Sequence, residues 1–257
     1  MLISDRLIYL ALHKTGCSHV LKLLESTTGL NGVVIGKHNT INEISAEKLG
    51  DFKNKIKAGN IRNPWDWYVS LWAFGCMKKG GLYDHLVTNN FLKSIKNPKS
   101  LFAAKKNWKE VYADAENISL FQKWLKMVLV TDRNDIPEFK KNNPHDFIGL
   151  LSFRYMQLYT TDFKSANSVI TGYDDLYTFD KKNNFLNMFI RNEYLESDFI
   201  ELMKKIEIPE TSYSALLQAP KTNASQRKSY HQYYDTELVE LVHAKEKLII
   251  DKHGYIF

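Results

Sequence analysis

The chain has 257 residues, 44% of them hydrophobic, 25% charged and 13% aromatic, the composition of a globular protein with a sizeable core. Lysine and arginine outnumber aspartate and glutamate by 35 to 29, a mild excess that suits an anionic substrate, cofactor or surface but is spread without a dense basic run or a nucleic-acid-binding module and so does not argue for nucleic acid. Two cysteines, Cys17 and Cys76, exclude a disulfide framework and a Cys-rich zinc pattern, and no segment reaches the roughly 20 apolar residues of a membrane span.

Along the chain, Leu7 to Leu12 (LIYLAL) is a continuous apolar run, as expected of a strand covered on both faces. Asp5 and Arg6 precede it and no small-residue cleavage site follows, so the N-terminal segment does not read as a leader and a cytoplasmic protein is expected. Ser18 to Leu24 has helical spacing, Gly32 to Ile35 (GVVI) reads as a second strand leading to Lys37 and His38, and Ala46 to Lys53 as a modest helix. A weaker strand leads into Arg62. In "RNPWDWYVSLW" Asn63 caps a helix, Pro64 suits its first position and Asp66 its positive end, with Trp65, Val69 and Trp72 on a core face.

From Gly75 to about Thr161 the alternation of strand and helix stops. Lys78–Gly81 (KKGG) and Lys96–Ser100 (KNPKS) read as loops, and 120–130 and 147–159 as helices. Ser168 to Thr171 (SVIT) is expected as a last strand, and helical patterns close the chain around a polar interruption at 221–229 (KTNASQRKS). This order implies a single α/β domain over residues 1–257, with a mostly parallel central sheet and a helical insertion at about 75–167.

The chemistry concentrates at "HKTGCSH", residues 13–19, the turn between the first long strand and its helix. Such a turn presents the opening amides of a helix, where the dipole is positive. Lys14 adds a full charge, Thr15 and Ser18 add hydroxyl donors, and Gly16 permits a close backbone approach. The pattern is not G-x-x-x-x-G-K-[ST], because the lysine precedes the glycine. A second anion grip is suggested by Arg62, at a strand end, and Ser70, two turns into the next helix.

Three segments in order, "HKTGCSH", "IRNPWDWYVSLW" and "NASQRKSYHQYYDTELVELV", resemble the sulfotransferases that use 3′-phosphoadenosine-5′-phosphosulfate (PAPS), with R-N-P-x-x-x-x-x-S the most specific element. The resemblance leaves out roughly 75–167. It implies a P-loop-like three-layer α/β/α fold and transfer of a sulfuryl group from PAPS to an acceptor hydroxyl. It implies that Lys14 contacts the bridging oxygen and the 5′-phosphate, with amides and hydroxyls from Thr15, Gly16, Cys17 and Ser18; His19, a departure from the family, is expected to donate to a phosphate oxygen or else to cap the helix end. Arg62 and Ser70 would hold the 3′-phosphate, Arg227 and Lys228 would close over it, and Tyr173 would lie near the adenine. Cys17 and His19 stand where many members carry a Thr-Thr-Ser-like run. Family members generally work without a metal, and none is expected here.

Sulfuryl transfer builds negative charge on the leaving oxygen, which a lysine stabilises, and the acceptor hydroxyl needs a base near neutral pKa. His38, after the second expected strand, is the candidate base. His13 is expected to face the strand's packing, His85 and His145 fall in the insertion, and His231, His243 and His253 in or beside the tail helix. The branch most resembled contains carbohydrate sulfotransferases, so a glycan or glycolipid hydroxyl is the first acceptor expected and a small alcohol or phenol the second. Trp108, Trp124, Phe147, Phe153, Tyr155 and Tyr159 in the insertion are core at helical spacing, or aromatics of an acceptor pocket. Two alternatives stand beside this reading. One is a P-loop nucleotide kinase, with Asp174 as a conceivable magnesium ligand. The other is a non-catalytic module that binds a phosphorylated partner.

Overall fold

The computed structural model describes residues 1–88, 107–142, 146–166, 168–217 and 227–257. The expected loop at 96–100, His145 and residues 221–226 of the polar interruption lie outside them. In chain order the main elements are β1 (Leu2–Ile3), β2 (Leu7–Leu10), α1 (Cys17–Ser26), β3 (Val33–Val34), α2 (Ala46–Leu49), β4 (Ile56–Ile61), α3 (Pro64–Cys76), α4 (Ile118–Lys126), α5 (Leu150–Tyr159), α6 (Tyr173–Asn183), β5 (Met188–Arg191), α7 (Leu195–Lys205), α8 (Thr236–Lys245) and α9 (Lys247–His253), with short helices and turns between. The chain divides into two compact units, one of residues 1–63, 154–166 and 174–224, the other of 64–153, 167–173 and 225–257.

The first unit is α/β. Its five-stranded mixed sheet has the order β3-β1-β2-β4-β5. β2, β4 and β5 run parallel, in register from Leu7 opposite Ile56 and from Ala58 opposite Met188, while β1 runs antiparallel to both β2 and β3. β2 is buried at every residue, which explains its unbroken apolar sequence. Its core combines Leu7, Tyr9 and Ala11 with Val20, Leu21 and Leu24 of α1 and Phe199, Leu202 and Met203 of α7. Within β4, Gly59 is required by a neighbour: a Cβ there would stand 2.5 Å from Tyr159 Cε1 and 2.8 Å from Leu186 Cδ1. The Tyr159 hydroxyl uses that approach to donate to the Asn60 carbonyl at 2.8 Å.

The second unit is helical. α3 is buried on nearly every side, including Trp65, Trp67, Tyr68, Val69 and Trp72, because its sequence is apolar all round. Its indoles keep their N–H groups satisfied: Trp65 Nε1 donates to the Val239 carbonyl at 3.1 Å and Trp72 Nε1 to the Val111 carbonyl at 2.7 Å. Glu246 is wholly buried and accepts from the Tyr68 hydroxyl, from the Leu151 amide at 3.0 Å and from the Ser152 amide at 2.7 Å. Its carboxylate thereby caps the start of α5 from a distant point in the chain.

Several expectations shift. Residues 168–171 are not a strand: 168 and 169 form a turn, and only Ile170 of the valine–isoleucine pair is buried, Val169 being 71% exposed. Two strands were not anticipated, β1, which is only two residues long, and β5, which is the last strand among the described residues. α2 stops at Leu49, four residues early, where Gly50 takes a positive φ of 58°. The helix expected over 120–130 begins at Ile118, capped by Asn117, and passes into a π-turn at Met127–Thr131. That expected over 147–159 begins at Leu150, where the Glu246 cap starts it. The insertion's aromatics are core: Trp108, Trp124, Phe153, Tyr155 and Tyr159 are buried and Phe147 is half-buried.

Candidate functional site

Open α/β sheets present ligands to the carboxyl ends of their parallel strands, where turns expose backbone amides. In the first unit three such ends converge. The turn after β2 is tight: the Thr15 hydroxyl donates back to the Leu12 carbonyl at 2.8 Å, and Thr15 is fully buried. Lys14 has a positive φ of 62°, and Gly16, which precedes α1, has 78°. No side chain caps α1 at Gly16. Instead the His19 and Val20 amides turn back onto the Gly16 carbonyl at 2.9 and 3.3 Å. Glycine is required there twice over, for its φ and for space, since a Cβ would stand 2.8 Å from Asn192 Oδ1 and 2.9 Å from Leu195 Cδ1.

β4 supplies the second end. The Arg62 guanidinium donates from Nη1 to the Lys14 carbonyl at 3.0 Å, so the arginine at this strand end is bonded to the lysine turn at the neighbouring one. β5 supplies the third. Asn192 packs against Gly16, and Glu193 Oε1 accepts from the Asn63 amide at 2.7 Å. Sequence reasoning missed this third end, although a signal was present: Ile-Arg-Asn closes both β4 (61–63) and β5 (190–192). The two arginines differ in bonding. Arg191 is clamped by Asp198, with Nε and Nη2 donating at 2.9 and 2.7 Å and its amide at 2.8 Å. Arg62 donates to a backbone carbonyl of the turn itself.

His38 joins the same place from the loop after β3. Its Nδ1 lies 2.6 Å from the Ala11 carbonyl, just beyond β2. A carbonyl only accepts, so Nδ1 carries the hydrogen and the lone pair of the neutral ring belongs to Nε2. Burial lowers the His38 pKa below its ordinary 6.5, with Lys37, the Met1 amine and Arg154 adding to that, while the bond to Ala11 opposes it. The ring is therefore neutral at neutral pH. His13, expected to face the strand's packing, stacks on His38, centroids 3.5 Å apart and planes 19° from parallel. Burial, followed by Arg154, His38 and Lys37, pushes the His13 pKa down to about 2. Cys17 is buried and its thiol pKa is raised by burial, as suits a packing residue.

The structure thus brings together Lys14, Thr15, Gly16, Cys17, Ser18, His19, His38 and Arg62 in the first unit. Ser70, Tyr173, Arg227 and Lys228 belong to the second and are described within it. Ser70 is buried on α3. Tyr173 donates from its hydroxyl to Asp251 Oδ2 at 2.6 Å and has Lys247 over its ring. Arg227 pairs with Asp66 in the first turn of α3, and Lys228 Nζ donates to the Glu116 carbonyl at 3.2 Å. Asp174, the conceivable magnesium ligand of a kinase, is exposed in the first turn of α6.

Comparison of the chain with protein-family models, with curated proteins and with solved structures returned no match. Among the described residues no helix is long and apolar enough to cross a membrane. What the arrangement can do chemically therefore rests on its own groups: a cationic, amide-lined turn that suits an anion, and a neutral imidazole with a defined tautomer that suits a proton acceptor.

Proposed function

We propose that the chain is a sulfotransferase that moves a sulfuryl group from PAPS to an acceptor hydroxyl, on a fold of the P-loop-like three-layer α/β/α kind. The observation that carries the reading is the Arg62–Lys14 bond, which puts a guanidinium and an ammonium-bearing turn at the ends of adjacent parallel strands. A ligand with separated phosphates suits two such grips, and the residues present suit one: hydroxyls at Thr15 and Ser18, a glycine where a side chain would not fit, and the start of a ten-residue helix. PAPS, when bound, supplies the sulfuryl group and an adenosine 3′,5′-bisphosphate leaving group. Lys14 neutralises charge developing on the leaving oxygen, Arg62 binds phosphate, and His38 takes the acceptor's proton on Nε2. The acceptor proposed first is a glycan or glycolipid hydroxyl, and a small alcohol or phenol second.

The test is a thermal-shift titration paired with an acceptor screen using labelled PAPS. Adenosine 3′,5′-bisphosphate is expected to raise the melting temperature, ATP with magnesium to leave it nearly unchanged, and Arg62→Ala to remove the shift. Stabilisation by magnesium ATP alone would turn the assignment to a nucleotide kinase. Stabilisation by the bisphosphate without label transfer to any acceptor would turn it to a non-catalytic binding module.

A further inference from the structure

We propose that His13 is a positioning residue for the candidate base: its ring face holds the His38 imidazole against the Ala11 carbonyl, so that the pair binds one proton between them and His38 is the ring that takes it. The inference rests on the sulfuryl-transfer reading for its function but not for its geometry. Two contacts fix the His38 ring. The Ala11 carbonyl accepts from Nδ1 at 2.6 Å and defines rotation in the ring plane, while the stacked His13 ring at 3.5 Å blocks rotation out of it. A base held by a single hydrogen bond would sweep its Nε2 through an arc, and misplacement of about 1 Å costs on the order of a hundredfold in rate.

The stack also decides which ring is charged. Two imidazolium rings at van der Waals contact repel strongly, so the pair holds at most one proton. The charged groups that face the pair come from separate elements: Lys37 on the same loop as His38, Arg154 of α5 and the Met1 amine. Lys37 and Arg154 bear on both rings and the Met1 amine on His38, but His13 is the more buried, and the Ala11 carbonyl accepting from Nδ1 favours the charge on His38. His13 stays neutral, and its π face lies against the imidazolium that His38 becomes on accepting a proton. The proton passes from the acceptor oxygen to His38 Nε2 as that oxygen bonds to sulfur and the bond from sulfur to the leaving oxygen breaks. No other reactant is needed.

The experiment compares wild type with His13→Ala and His13→Phe by following the His38 ring protons through a pH titration by NMR, with His38→Ala as the assignment control. His13→Ala opens the ring to water, so its titration is expected to move up toward the ordinary histidine value; His13→Phe keeps a flat ring there and is expected to hold it near the wild-type position. His13→Asn, which also removes the ring face, replaces alanine if that variant does not fold. In sulfuryl transfer, His13→Ala is expected to lose about tenfold to a hundredfold in turnover, with its acid limb displaced upward, and His13→Phe to recover most of that loss. An unmoved His38 titration in His13→Ala, or equal movement in the alanine and phenylalanine variants, would overturn the positioning role. The NMR arm needs no substrate. The expected titrations together with a wild type that transfers no label would sink the enzyme reading and leave the ring pair standing.

Discussion

Two buried polar groupings, one in each unit, show the difference between a polar network that fixes a fold and one suited to a ligand. In the second unit Glu246 is closed off: fully buried, with the Tyr68 hydroxyl and two helix amides on its oxygens. Burial raises its pKa and those bonds pull it back. In the first unit the turn after β2 carries Lys14 and His19 only half-buried, with half-buried His38 beside it, two positive-φ residues, and at the helix start a glycine that has no side chain to cap with. The first arrangement satisfies its groups internally, so changing it costs stability. The second joins a cationic turn to a neighbouring strand end near solvent, and under the proposed function changing it costs binding or turnover.

The comparison breaks most visibly at Glu246. Glu246→Ala leaves three donors without an acceptor in a dry interior and is expected to destabilise by about 3 kcal/mol or more, seen as a fall in melting temperature. A drop under about 1 kcal/mol would mean that the network is not closed. Lys14→Ala is expected to do the reverse, lowering sulfuryl transfer by about a hundredfold to a thousandfold while the melting temperature moves little. Gly16→Ala falls between the two, because it strains a left-handed φ and crowds Asn192. About 2 kcal/mol of stability is expected to go, together with affinity for adenosine 3′,5′-bisphosphate, measured by denaturation and calorimetry on the same sample.

The last effect is a slope, the pH dependence of stability. His13 has a folded pKa far below the unfolded 6.5, so the unfolded chain binds a proton that the folded chain refuses. Its contribution is present above pH 6.5 and is lost as pH falls below that toward the folded value, at up to about 1.4 kcal/mol per pH unit. His13→Phe is expected to flatten that slope between pH 6.5 and 4.5 in urea denaturation. An unchanged slope would show that His13 is not held neutral by its surroundings.

Much of the first unit was legible in the sequence because its signals are local. An unbroken apolar run marks a strand buried on both faces, and "HKTGCSH" carries its own turn chemistry in consecutive residues. His38 was legible as a residue at the sheet edge, since the strand before it ends there. Its partner was not: nothing local to His13 says that a ring 25 residues on will stack on it. The SVIT run misled because apolar, β-branched residues mark a strand only where a partner ladder exists, and the ladder beside β4 is formed by β5, Met188–Arg191.

The sequence by itself determined the order of strand, turn and helix around Lys14, the α/β class and the burial of the tryptophan-rich helix, because propensity, periodicity and turn chemistry act over a few residues. Only the tertiary structure decided that β4 lies between β2 and β5, that Arg62 reaches the Lys14 carbonyl, that His13 faces His38, and that Glu246 caps a helix nearly a hundred residues before it. Those pairings satisfy buried polar groups across long separations in the chain, and no short window of residues contains both partners.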